Sequence, residues 1–179
     1  MNSKYLKSIV VLASICLILA ALLGLVNMIT APEIQAQEER KVKEALSEVL
    51  SGADKYTKLD LAQYQGQLEI PDSVVEIYSA DIGGYVFKLS VKGYSTGLVL
   101  MIGVGGDGAV SGAKVISSGE TNGAENGYGS SFIGKTESTV GSVATVTGST
   151  LTTTAYKNAV STALSLAKSL DGAKEGGNG

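Results

Sequence analysis

Tyr85-Val86-Phe87-Lys88-Leu89-Ser90-Val91 reads as a β-strand, and the segments on either side repeat its pattern. From Phe87 on, apolar and polar side chains alternate along it, as on a sheet with one face buried. Upstream, Val74-Val75-Glu76-Ile77-Tyr78 alternates in the same way, and Gly83-Gly84 supplies a tight hairpin turn between the two. Downstream come Gly97 to Val104, the turn Gly105-Gly106-Asp107-Gly108, and Ala109 to Ser117. Four strands joined by short turns predict an antiparallel meander. The glycines at 103, 105, 106 and 108 superficially resemble a nucleotide-binding loop. No helical pattern follows them, so they read as a hairpin.

Working outward, Glu33 to Leu50 carries helical spacing, with Ile34, Val42, Leu46, Val49 and Leu50 as its apolar positions. Glu33, Glu38 and Glu39 precede Arg40, Lys41 and Lys43, an order that complements a helix dipole. The expectation is a solvated connecting helix over 31–52, ended by Ser51-Gly52. Residues 52–72 read as mostly irregular. Residues 118–139 read as a long glycine-rich loop, docked through Phe132 and Ile133, and loops of that length tend to carry function. Thr153 to Leu170 offers a second helical face through Ala155, Ala159, Ala163, Leu164, Ala167 and Leu170. The folded domain is expected over 53–171, with a disordered glycine-rich tail over 172–179.

Residues 1–30 are of a different kind. Ser8 to Thr30 holds no charge, and Ile9 to Val26 is nearly continuous in Ile, Val, Leu and Ala. About 20 such residues cross a bilayer. A cleaved signal peptide is the competing reading, but this run exceeds the usual apolar stretch of roughly 7–15 residues. Cys16 is followed by too much further apolar chain to be a lipidation site. Lys4 and Lys7 precede the run, and the first basic residue after it is Arg40. The positive-inside rule then puts the N-terminus in the cytoplasm and the folded domain on the outer side of the cytoplasmic membrane, a single-pass arrangement in contact with membrane lipid.

Composition excludes much chemistry. Without histidine there is no imidazole catalysis and no His-ligated metal, and one cysteine cannot form an internal disulfide or a thiolate cage. A serine or threonine nucleophile would lack a histidine base. The net charge of −3 argues against nucleic-acid binding. Redox activity would need a borrowed cofactor.

One segment does suit a ligand. Thr147-Gly148-Ser149-Thr150-Leu151-Thr152-Thr153-Thr154 places hydroxyls and a glycine at the start of the last helix. A helix N-terminus offers unpaired N–H donors and a positive dipole end, which attract phosphate. By residue type alone, Thr150 either holds such a phosphate or caps the helix.

Several motifs in order resemble a known family. These are Asn27-Met28-Ile29-Thr30-Ala31-Pro32-Glu33-Ile34, then Gly93-Tyr94-Ser95-Thr96-Gly97 leading into Val99 to Val104, then Glu120-Thr121, and last Thr147-Gly148-Ser149-Thr150-Leu151-Thr152. The chain resembles the G subunits of Rnf electron-transport complexes, and more broadly the FMN-binding domain they share with the Na⁺-translocating NADH:quinone reductase. The resemblance implies an α+β fold: one N-terminal transmembrane helix, then a single FMN-binding domain with an antiparallel sheet and flanking helices. It implies FMN esterified through its phosphate to Thr150 by a flavin transferase, no catalytic residue and no metal site. It further implies an electron-carrying role, alongside other subunits, in an ion-translocating ferredoxin:NAD oxidoreductase.

On that resemblance Thr147, Gly148, Ser149, Leu151 and Thr152 would line the phosphate end, and Glu120 and Thr121 would approach the flavin. Glu120 also reads as a plain solvated loop carboxylate. The chain departs from the family pattern at three places. Ala144 stands where an aspartate is usual, Ser149 where alanine is, and Asn122-Gly123 where Pro-Gly follows Glu-Thr. These departures motivate an alternative, an anchored binding or scaffold domain of the same fold without covalent flavin.

Overall fold

The computed structural model describes residues 3–64, 66 and 68–176, which divide into two compact units, Met1–Lys41 and Val42–Gly179. The first unit is helical. It belongs to α1, Ser3–Val49, a helix that runs through Pro32 and past the boundary expected at residue 30. The most apolar part of α1 has a mean hydropathy of 3.1 and is 0% buried, as a bilayer-facing surface would be.

The second unit is built on a five-stranded antiparallel sheet in sequential order. Its strands are β1 (Tyr56–Lys58), β2 (Val74–Ala80), β3 (Tyr85–Val91), β4 (Leu98–Val104) and β5 (Val110–Ser117). The four expected strand segments form the meander. Within the stretch expected to be irregular, β1 adds an edge strand on β2 and Leu61–Tyr64 forms a 3₁₀ turn.

Strand alternation gives the sheet two different faces. Ile77, Phe87 and Ile102 lie side by side across β2, β3 and β4 and point to the last helix, α2 (Thr150–Gly176). With Leu89, Leu98, Leu100, Tyr156, Ala159, Val160, Ala163 and Leu170 they make the larger core. Fully burying one such aliphatic or aromatic side chain contributes about 1.5–3 kcal/mol, so this layer dominates stability. Tyr156, Val160 and Leu166 join the anticipated face of α2, whereas Ala155 is only half-buried. The helix continues through Gly176, so 172–176 are helical where a disordered tail was expected; 177–179 lie outside the described residues.

The opposite face is narrow. The next row across the strands is Val86, Gly103 and Gly112. The last turns of α1 pack here, burying Ala45, Leu46, Val49 and Leu50 against Val86 and Met101. That stretch is therefore core, not the solvated connector its charges suggest; only its exposed face carries them. Glycine at 112 allows the approach, because a Cβ there would stand 2.8 Å from the Val49 Cα. The Ser111 hydroxyl donates to the Val49 carbonyl at 2.5 Å, and the Tyr56 hydroxyl donates to the Leu50 carbonyl at 2.5 Å. Both acceptors are terminal carbonyls that the helix itself cannot satisfy.

The long segment after β5 is more structured than its glycines suggest. Tyr128–Phe132 and Val140–Ser142 are 3₁₀ turns. Tyr128, Phe132 and Tyr156 form an aromatic cluster, with the Phe132 and Tyr156 rings stacked at 5.6 Å. Phe132 is fully buried, but Ile133 is exposed and does not dock.

Candidate functional site

The site forms around the first turn of α2, where three segments distant in sequence meet. The first helical hydrogen bond runs from the Thr153 N–H to the Ser149 carbonyl at 3.0 Å. The N–H groups of Thr150, Leu151 and Thr152 precede it and have no partner within the helix. No acidic residue occupies this turn, so the positive end of the dipole is not cancelled locally.

Several contacts fix the approach to that turn. Lys157 reaches back to donate to the Gly141 and Val143 carbonyls at 2.6 and 3.0 Å. The Tyr128 hydroxyl donates to the Ala144 carbonyl at 2.9 Å. The Thr153 hydroxyl donates to the Ser149 carbonyl at 2.9 Å and accepts from the Val146 N–H at 3.2 Å. These bonds hold the turn ahead of the helix and leave the first-turn N–H groups without a side-chain acceptor among the described residues. Thr150 is the first residue of the helix, exposed, and its hydroxyl makes no hydrogen bond among the described residues. It does not cap the helix.

Two loops complete the enclosure. Glu120, after β5, accepts from the Thr152 hydroxyl at 2.5 Å, from the Ser95 N–H at 3.0 Å and from the Tyr94 N–H at 3.3 Å. Hydrogen bonds to an ionised acceptor are stronger than neutral ones, so one carboxylate clamps the β3–β4 loop to α2. Glu120 is half-buried and tethered, not a solvated loop carboxylate. Asn122 donates to the Gly148 carbonyl and to the Ser149 hydroxyl, each at 3.3 Å, drawing the same loop onto the turn before the helix.

The result is a cleft of about 510 Å³ lined by Tyr94, Glu120, Thr121, Asn122 and the run Gly148 to Thr152. All the expected site residues line it except Thr147, which is exposed in the preceding turn. Thr152 is buried at the back of the cleft, and Leu151 presents its side chain 64% exposed. Tyr94 and Asn122 are additions. Their signal lay within the quoted motifs, since Tyr94 follows Gly93 and Asn122 follows Glu120-Thr121, but neither residue type points to a ligand unaided.

The cleft suits a phosphorylated, partly aromatic ligand. It has an unengaged hydroxyl, three N–H groups at a helix N-terminus, an exposed tyrosine and an exposed leucine. Its one ionised side chain, Glu120, is compensated by three donors, which limits repulsion toward an anion. Among the described residues no group of three His, Cys, Asp or Glu could hold a metal.

Comparison with known families assigns both parts of the chain. Residues 93–165 match the FMN-binding domain, and residues 1–49 match the RnfG N-terminal region. No curated protein matches the chain. The first match spans the β3–β4 loop, the Glu120 loop and most of α2, the segments that enclose the cleft. The N-terminal match contains the apolar run of α1, which suggests a membrane anchor. Together the two matches support an RnfG-type, flavin-binding Rnf subunit.

Proposed function

We propose that Thr150 carries FMN through a phosphoester, and that the protein passes electrons through it as part of an ion-translocating ferredoxin:NAD oxidoreductase complex. One observation carries the reading above others: Thr150 is the exposed residue at the head of α2 whose hydroxyl is unengaged, within a cleft built from three segments. FMN accepts one or two electrons and so connects single-electron carriers, while the protein supplies position and electrostatics.

Each lining residue then has a task. The Thr150 oxygen anchors the phosphate, and the N–H groups of the first turn stabilise its remaining negative charge. Ser149 adds a hydroxyl donor, with Gly148 and Asn122 holding the turn. Glu120 keeps the β3–β4 loop closed, and Tyr94 and Leu151 offer apolar surface to the isoalloxazine. The tether retains the cofactor on the outer side of the cytoplasmic membrane, where lost FMN is not readily replaced. A flavin transferase would install it there. That side is assigned from Lys4 and Lys7 ahead of the apolar run.

The test is Thr150→Ala, produced with an active flavin transferase in the native host. Wild-type protein should be yellow, fluoresce in a denaturing gel and carry an FMN adduct on the peptide containing Thr150. The variant should lose all covalent fluorescence while its circular dichroism and melting stay unchanged. Fluorescence retained in the variant, or colourless wild-type protein, rejects the assignment. The second outcome would favour a scaffold domain that the transferase does not read, as the Ala144 departure suggests.

A further inference from the structure

Ser149 stands at the cap position of α2 and does not cap it. Its carbonyl accepts the first helical hydrogen bond, and the helix begins at the next residue, Thr150. A serine there normally turns its hydroxyl oxygen onto the N–H of the second or third helical residue, here Leu151 or Thr152. Neither bond forms. The Ser149 oxygen instead accepts from the Asn122 side-chain amide at 3.3 Å, and its own proton has no acceptor among the described residues.

The backbone of Ser149 is held on both sides, by its N–H on the Val146 carbonyl at 3.0 Å and by the Thr153 N–H on its own carbonyl at 3.0 Å. Only the side-chain rotor is left to choose a partner. Asn122 makes that choice from outside the helix. Its amide also donates to the Gly148 carbonyl at 3.3 Å, and its loop is fixed to α2 through the bond between Glu120 and the Thr152 hydroxyl.

What the rotor decides is whether the helix end is open. A capping oxygen and an anion compete for the same N–H groups. No lysine or arginine is among the residues that line the cleft, so those N–H groups are its main attraction for negative charge. Asn122 and Ser149 are also two of the places where the chain departs from the family pattern, and they touch each other. An alanine at 149 could not cap and would need no restraint. A serine can cap, and here it comes with a restraint.

We propose that Asn122 is a positioning residue of the phosphate site. It holds the Ser149 hydroxyl off the Leu151 and Thr152 N–H groups, which keeps them open, and leaves the Ser149 proton to donate to the same phosphate ester. This deepens the flavin assignment and rests on it for the identity of the ligand.

The test compares wild type, Asn122→Ala, Ser149→Ala and the double variant, each as the full chain in detergent, produced with and without the flavin transferase. In unloaded protein, Asn122→Ala frees Ser149 to cap, so amide exchange at Leu151 and Thr152 should slow about fivefold, as for a typical serine cap. The same substitution on top of Ser149→Ala should not slow it, and Ser149→Ala alone should leave it unchanged. A loop merely loosened by loss of Asn122 would give faster exchange instead. In loaded protein, the rise in melting on flavin attachment should be smaller by about 2–4 °C in Ser149→Ala, a difference that a purely structural role would cancel between the two forms. Exchange that is unchanged or faster in Asn122→Ala overturns the proposal. So does equal slowing in both backgrounds, or faster exchange in Ser149→Ala alone, which would show that Ser149 already caps. Wild-type protein without an adduct would overturn the flavin assignment and the Ser149 donor with it, and the exchange rates of unloaded protein would still decide the role of Asn122.

Discussion

The last turn of α1 and the first turn of α2 meet the same physical problem in opposite ways. Each helix end leaves backbone groups that the helix cannot satisfy. At the end of α1, side chains satisfy them: Ser111 and Tyr56 donate to the Val49 and Leu50 carbonyls, and Gly103 and Gly112 let the helix sit directly on the sheet. At the start of α2 the side chains arrange the surroundings but leave the end open. Thr153, Lys157 and Tyr128 hold the approach, Glu120 and Asn122 hold the loops, and the Thr150 hydroxyl and three N–H groups face the cleft. A terminus satisfied from within contributes stability, and one left unsatisfied at a surface cleft is available to a ligand. Substitutions at the first should therefore move melting without touching flavin content, and Thr150→Ala should do the reverse.

The largest stability effect is expected where the α1 terminus meets the sheet. Gly112→Ala would put a Cβ 2.8 Å from both the Val49 Cα and its carbonyl oxygen, and neither is the end of a flexible side chain. Forcing a methyl into a packed contact costs about 1–3 kcal/mol. Melting in detergent should fall accordingly, with flavin per folded molecule unchanged. A variant as stable as wild type would show that this terminus is not seated as described. Loss of flavin from folded protein would show that the two ends are not separate in function.

Glu120→Gln probes the other end with a smaller expected effect. The amide keeps the shape but removes the charge that three donors share. Replacing charge-assisted hydrogen bonds by neutral ones should cost about 1 kcal/mol. The more telling readout is the loop: amide exchange at Tyr94 and Ser95 should speed up, and covalent flavin yield should drop without vanishing. Unchanged exchange would remove Glu120 from its positioning role.

The same contrast explains how much was legible in the residues alone. β2 to β5 were legible as short apolar-rich runs bounded by turn glycines, with alternation plainest in β2, although β4 is buried at nearly every residue. Three-residue β1 carries no such run; it exists because Tyr78 to Ala80 offer it an edge. The end of α1 misled because Arg40, Lys41, Lys43, Glu44 and Glu48 surround a narrow buried stripe, Ala45, Leu46, Val49 and Leu50. What buries that stripe is a pair of glycines, Gly103 and Gly112, on strands far along the chain, and no window on the helix contains them. The motif around Thr150 was readable because the residues it gives to the cleft, Gly148 to Thr152, are consecutive. Glu120's clamp was not, since its three donors come from residues 94, 95 and 152.

The smallest effect concerns the pairing that holds β1 to the sheet, and it sharpens the contrast by depending on charge alone. Burial pushes the Glu76 carboxyl up, but hydrogen bonds from Lys58 and Tyr78 and the charges of Lys88 and Lys58 outweigh it, so its pKa is lowered. A lowered folded-state pKa means stability that is present above the unfolded value and is lost as pH falls through the folded one. Lys58 is 57% exposed, so solvent screens much of the gain and the contribution should be only a few tenths of a kcal/mol. Wild-type melting should therefore fall slightly more than that of Glu76→Gln as pH drops from about 6 to about 3, bracketing the ordinary glutamate value. High salt should narrow the difference, because an exposed pair is screened. Parallel curves for the two proteins would mean that β1 is held by its backbone ladder and by the Tyr56 hydroxyl on Leu50, with the Lys58–Glu76 pair adding nothing.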